Sequence, residues 1–212
     1  MEKEVSYHTK NSYSTLNTLT SQTKNIWFVC HGISFLSRHF LKYFNGLDSK
    51  ENYIIAPQAQ SKYYFGHEYK HVGASWLTKE NTQKEIDNLM NYLDAVFEKE
   101  NLPEDVNLIA LGFSQGVSIV MRYVARRKLK CSQLVLLSGM IPKELKCKDF
   151  EFLTGKAKVS LIYGTEDEFL SEEKLDNEKN RFYELFGEKA IIIPFQGKHE
   201  VNKQIIRDLI SP

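Results

Sequence analysis

Cysteine is scarce in this chain of 212 residues: only Cys30, Cys131 and Cys147 occur, an odd number with no C-x-x-C pair. That excludes a disulfide scaffold and leads us to expect a reduced, cytoplasmic compartment. An excess of one charge is also missing. Lys plus Arg is 28 and Asp plus Glu is 27, a formal net charge of +1, so no overall field points to nucleic acid or to an anionic membrane. Long apolar runs are missing too, the longest being about five to six residues against the ~18–20 of a membrane span. The polar N-terminus MEKEVSYHTKNSYS has no apolar stretch of the kind a secretory signal needs. What remains is close to a globular average, 42% apolar and 26% charged, which excludes a disordered or collagen-like chain. The length fits a single domain over 1–212, able to bury a core without metal or disulfide staples.

No internal repeat or low-complexity linker divides the chain. Short apolar runs alternate with helical patterns. The runs are Ile26–Cys30, Tyr53–Ala56, Val106–Leu111, Leu134–Leu137, Val159–Tyr163 and Ala190–Pro194. Each is rich in Ile, Leu and Val and apolar on both faces, as strands buried under helices on both sides are. Between them, Ile86, Leu89, Met90, Leu93, Val96 and Phe97 form one stripe of a long helix, predicted from near Thr78 to before Pro103. Further helices are predicted around Val117–Arg126, after Ser171 with Glu172 and Glu173 at its positive end, around Val201–Leu209, and weakly around Phe40–Phe44. This alternation implies an α/β fold with a mostly parallel sheet. Residues 3–20 alternate polar and β-branched residues around Lys10–Asn11, which predicts an N-terminal edge hairpin. Gln58–Ser75 and Ser138–Lys156 are predicted as long loops, the second too short for a helical cap domain.

Ligands of an open parallel sheet bind beyond the carboxyl ends of its strands, so chemistry is sought there. After Val106–Leu111 comes Gly112-Phe113-Ser114-Gln115-Gly116, with a helix at once behind it. This is G-x-S-x-G in the strand–turn–helix setting that exposes the serine. A serine hydroxyl needs a base, and the base an orienting acid. Downstream of Ser114 the sole histidine is His199, directly after the strand Ala190–Pro194. After Val159–Tyr163, Gly164-Thr165-Glu166-Asp167-Glu168-Phe169 offers three carboxylates; Asp167 is favoured, with Glu166 next.

With His31-Gly32 after the first buried strand, Ala56-Pro57-Gln58-Ala59-Gln60, Gly73-Ala74-Ser75-Trp76 and Gly197-Lys198-His199-Glu200, these pieces resemble the α/β-hydrolase fold. Within it they resemble the small, lidless carboxylesterase, lysophospholipase and acyl-protein thioesterase branch, over about residues 25–205. The resemblance implies a central sheet with helices on both faces and no large cap. It implies hydrolysis of a small carboxylic ester or thioester through an acyl-enzyme on Ser114, with no cofactor and no metal. It places the acid at the fourth position of G-x-x-D, Asp167. It also implies an oxyanion hole made by the backbone N–H groups of Gln115 and Ile33. Here the chain departs from the family pattern: Ile33-Ser34-Phe35-Leu36 stands where glycine and small residues are usual.

A second motif competes. His67-Glu68-Tyr69-Lys70-His71 is H-E-x-x-H, a zinc-protease signature that needs a helix to bring both imidazoles to one ion. Gly66 and Gly73 flank it in a loop-like stretch and Lys70 adds a cation, so a polar loop at the rim of the site is expected instead. Trp76, Tyr64, Phe65 and Phe169 are candidates for an apolar substrate wall, with ordinary packing as the alternative for the loop aromatics. A serine peptidase on the same fold, a zinc peptidase, and a non-catalytic binding protein remain alternatives that substrate comparison, chelation and Ser114→Ala would separate.

Overall fold

The computed structural model describes every residue except His67, Glu104, Thr154, Ser211 and Pro212. Its elements are β1 (Tyr13–Leu16), β2 (Asn25–Cys30), α1 (Ser37–Phe40), β3 (Asn52–Pro57), β4 (Ser61–Phe65), β5 (His71–Ser75), α2 (Thr82–Glu100), β6 (Asn107–Phe113), α3 (Gln115–Arg127), β7 (Gln133–Leu137), β8 (Lys158–Gly164), α4 (Glu172–Phe186), β9 (Ala190–Phe195) and α5 (Lys203–Asp208). Seven strands form one sheet in the order β1-β3-β2-β6-β7-β8-β9. All its pairs are parallel save β1 against β3.

Side chains alternate across each strand, and here both sets are apolar. β2 turns Phe28 and Cys30 to one face, where they meet the stripes of α2 and α3 and the Phe182 side of α4. It turns Trp27 and Val29 to the other, against Phe40, Phe44 and, from the C-terminal helix, Ile206. β7 does likewise, with Leu134 and Leu136 on one side and Val135 and Leu137 on the other. The sheet thus carries helices on both faces. β9 departs from the expectation of burial on both sides. As an edge strand it has one neighbour, and its residues are half-buried or exposed.

α2 starts four residues later than its apolar stripe suggests. Thr78 donates its N–H to the Glu85 carboxylate at 2.6 Å and Asn81 takes a left-handed conformation (φ 50°), so the chain turns before it can coil. At the N-terminus a single strand replaces the predicted hairpin. Asn11 reaches the Gln58 carbonyl with its side-chain amide at 2.7 Å and caps the Ser12 N–H at 2.9 Å. That bend delivers Tyr13–Leu16 to the open edge of β3 rather than folding residues 3–20 on themselves.

The predicted loop Gln58–Ser75 contains an antiparallel ribbon, β4 with β5. Tyr63, Tyr64, Phe65 and Val72 suit a strand, but much of the ribbon faces solvent, so it lacks the buried alternation that announces one. His67 of the H-E-x-x-H motif lies outside the described residues. Glu68, Tyr69 and Lys70 connect the two strands, Glu68 pairs with Lys70, and His71 opens β5. Among the described residues of the motif, Glu68–His71, none is helical.

The segment after β7 folds down onto α4. Glu178 accepts the Ile141 N–H at 2.8 Å, Arg181 donates to the carbonyls of Lys143 (2.8 Å) and Leu145, and Phe150 packs on Phe186 with ring centroids 4.8 Å apart. Among the described residues there is no helical cap over the carboxyl ends of the strands, and no helix long and apolar enough to cross a membrane.

Candidate active site

Three strand ends converge. Ser114 lies between β6 and α3, as the N-cap of α3, with φ 53° and ψ −119°, a conformation costly for any side chain and frequent where strain serves a site. The turn is that tight because both flanking glycines are in contact with backbone. A Cβ on Gly112 would fall 2.4 Å from the Gly116 carbonyl oxygen, and one on Gly116 2.0 Å from that of Cys30. The same closeness sets the turn after β2 against Ser114: a Cβ on Gly32 would lie 3.1 Å from Ser114 Cβ.

His199 follows β9. Its Nε2 lies 2.9 Å from Ser114 Oγ and its Nδ1 2.7 Å from Asp167 Oδ2. A carboxylate can only accept, so Nδ1 carries the proton and Nε2 is free to accept the serine O–H. Asp167 Oδ1 takes the Phe169 N–H at 2.9 Å, and the Asp167 side chain is fully buried. Glu166 and Glu168 are exposed; of the three carboxylates, the buried one meets the imidazole. The turn after β8 is tied to the histidine loop by the Thr165 and Glu166 N–H groups, which donate to the carbonyls of Phe195 (2.8 Å) and Gly197 (2.9 Å). Two rings pack against the imidazole, Phe113 tilted at 5.1 Å and Phe169 edge-on at 4.8 Å.

The turn after β2 is built by residues that sequence reasoning read for other purposes. His31 is fully buried. Its Nδ1–H donates to the Gly32 carbonyl at 2.8 Å, and its Nε2 accepts the Ala59 N–H at 3.2 Å. Burial pulls its pKa down to about 4, so the imidazole is neutral and can do both. Trp76 packs against it at a tilt, ring centroids 4.8 Å apart, and donates its indole N–H to the His31 carbonyl at 2.7 Å. At 1% exposure Trp76 offers no face to a substrate. That corrects its assignment to the substrate wall: it buttresses the turn. The signal was its place in Gly73-Ala74-Ser75-Trp76, but nothing in the sequence distinguishes a ring that lines a cleft from one beneath it.

Ile33 stands half-exposed at the crest of this turn and Gln115 is the first residue of α3. Among the described residues neither backbone N–H has a protein acceptor. The Gln115 side chain does what the sequence did not disclose. Its Oε1 accepts the Trp76 N–H at 2.9 Å, and its Nε2 donates to the Leu77 carbonyl at 2.8 Å and to Ser75 Oγ at 3.1 Å, latching α3 to the end of β5.

Of the remaining candidates, Phe169 lies on the imidazole and is exposed. Tyr64 and Phe65 lie on the ribbon and point to opposite sides of it. Phe65 shares its side with Tyr63, whose hydroxyl meets Ser34 Oγ at 2.7 Å, whereas Tyr64 contacts the exposed Tyr69. Tyr64 therefore faces away from the turn that Ser34 belongs to. Cys30, beside His31, is buried, and burial pushes its thiol far up; Cys131 is pushed up to about 12. Neither is an activated nucleophile.

Comparison with known proteins identifies the fold and the family. Solved structures of the same fold include acyl-protein thioesterase 2 of Zea mays (12% identity, TM-score 0.67, 94% of this chain and 96% of that one). Esterase PE8 (20%, 0.67, 95% and 100%) and the carboxylesterase of Bacillus cereus (16%, 0.64, 94% and 91%) are others. A comparison with curated proteins finds no match. Residues 22–211, nearly the whole chain, match the phospholipase/carboxylesterase family. The chain belongs to that family and is a carboxylic ester hydrolase on the α/β-hydrolase fold.

Proposed function

We propose that the chain is a serine hydrolase that cleaves carboxylic esters or thioesters through an acyl-enzyme on Ser114. The observation that carries this reading is the hydrogen-bonded series Asp167–His199–Ser114, at 2.7 and 2.9 Å. Ser114 Oγ attacks the carbonyl carbon while His199 Nε2 takes its proton. The oxyanion accepts hydrogen bonds from the backbone N–H groups of Ile33 and Gln115, each such donor being worth about 10²–10³ in rate. The protonated imidazole then gives its proton to the departing alcohol or thiol. Water, with His199 again as base, releases the acid and regenerates the serine. Asp167 stays ionised, fixes the tautomer and stabilises the imidazolium. These steps use protein groups alone. With the segment after β7 stapled to α4, the cleft favours small esters and exposed acyl chains over bulk lipid. The scarcity of cysteine, with no disulfide among the described residues, fits a cytoplasmic protein.

A fluorophosphonate probe tests this directly. Wild type should be labelled on Ser114, equally with and without chelator, and Ser114→Ala not at all. A folded wild type that takes no label, or loses it to chelator, would overturn the reading.

A further inference from the structure

The ribbon β4–β5 docks on the turn that bears Ile33. The Ser34 N–H donates to the Ala74 carbonyl at 2.9 Å, and Ser34 Oγ meets Tyr63 OH at 2.7 Å. The backbones touch so closely that a Cβ on Gly73 would fall 2.6 Å from Ser34 Cα. Between ribbon and α1 this leaves a groove of about 480 Å³ that starts at Ser34, one residue beyond Ile33. Phe35, Phe65 and Val72 give it apolar walls, and Arg38, Lys70 and His71 add cationic or basic groups. Lys70 is paired with Glu68, whereas Arg38 has no carboxylate partner among the described residues. His39, also lining the groove, is held below its usual pKa by burial and by the charges of Arg38 and Lys42. A positive field beside apolar walls fits a ligand with an apolar stem and an anionic end.

The sheet order says which part of an ester reaches it. The groove lies beyond the ends of β2 and β3, on one side of Ser114. His199 arrives from β8 and β9, on the other. The leaving oxygen or sulfur must face His199 Nε2 to receive its proton, so the acyl chain is the part that extends toward the groove. We propose, resting on the serine-hydrolase reading above, that this groove is an acyl-chain subsite for acids bearing a terminal anion. The preferred substrates are then half-esters or half-thioesters of dicarboxylic acids, with Arg38 as the specificity-determining residue.

The test compares p-nitrophenyl half-esters of adipate and suberate with the neutral p-nitrophenyl esters of equal chain length. Wild type should favour at least one half-ester by about tenfold in kcat/KM, and the ratio should shrink as salt is raised. Arg38→Gln should bring it to about one, and Arg38→Glu below one. Arg38 is exposed on a short helix, so both variants should fold, which circular dichroism verifies. A p-carboxyphenyl ester of a neutral acid, with its anion on the leaving group, should show no dependence on Arg38. A wild-type ratio of one or less, a ratio unmoved by Arg38→Gln, or an Arg38 effect on the leaving-group anion would overturn the subsite. If wild type cleaves the neutral esters and Ser114→Ala does not, the serine-hydrolase reading stands and only the groove is judged. If neither protein cleaves any ester, both fall.

Discussion

At the scale of single residues, the site turns on one buried carboxylate among three neighbours. Asp167 can hold His199 because its side chain is sealed from water and its second oxygen is already satisfied by the Phe169 N–H. Exposed Glu166 has neither property. Asp167→Asn should therefore lower kcat about 10⁴-fold, because an amide can donate to Nδ1 and so stabilise the wrong tautomer. Glu166→Gln should change it less than about threefold, a surface substitution away from the chemistry. Steady-state rates on a neutral ester check both. A large loss in the glutamate variant would mean that the acid is wrongly assigned.

At the scale of elements, the link that matters joins α3 to the ribbon. The Gln115 side chain satisfies the Trp76 N–H and the Leu77 carbonyl in a part-buried setting. Gln115→Leu keeps the backbone N–H at that position but strands both groups, a cost of about 1–3 kcal/mol. Because Trp76 supports the His31 carbonyl, the turn before Ile33 should loosen with it. We expect kcat to fall about tenfold with KM little changed, measured beside the urea midpoint. Loss of stability with full kcat would make Gln115 merely structural. The six central and far-edge strands of the sheet were legible as short apolar runs, and the long helices by their apolar period. The candidates for nucleophile, base and acid, Ser114, His199 and Asp167, were legible because strand ends announce them. The ribbon was not, since a two-stranded element lying partly in solvent carries no buried alternation. Nor was the role of Trp76, since composition does not say which side of a turn a ring takes. The N-terminal strand was displaced from its predicted hairpin by a partner, the free edge of β3, that lies about 40 residues away in sequence.

At the scale of the whole molecule, acid should act through His31 before it acts through the sheet. The folded chain keeps this imidazole neutral down to about pH 4, whereas an unfolded histidine takes up its proton near pH 6.5. Between those values the unfolded state binds more protons, so stability falls as the pH drops through the window, and the loss is complete below about pH 4. The size is about 3 kcal/mol. Urea midpoints between pH 7 and pH 4 should show the slope, and His31→Asn should be less stable at pH 7 but show less of it. An unchanged slope would place the acid sensitivity elsewhere.

The same molecule hangs its proposed base from its margin. β9 pairs with β8 alone and turns much of its surface to solvent, while β6, which leads into Ser114, is enclosed on both sides. An edge strand opens at a lower free energy than a central one. A brief detachment of β9 would carry His199 off while Ser114 and the centre of the sheet stay in place. Folded molecules and competent molecules are then two populations, and the free energy that separates them belongs to one strand rather than to the fold.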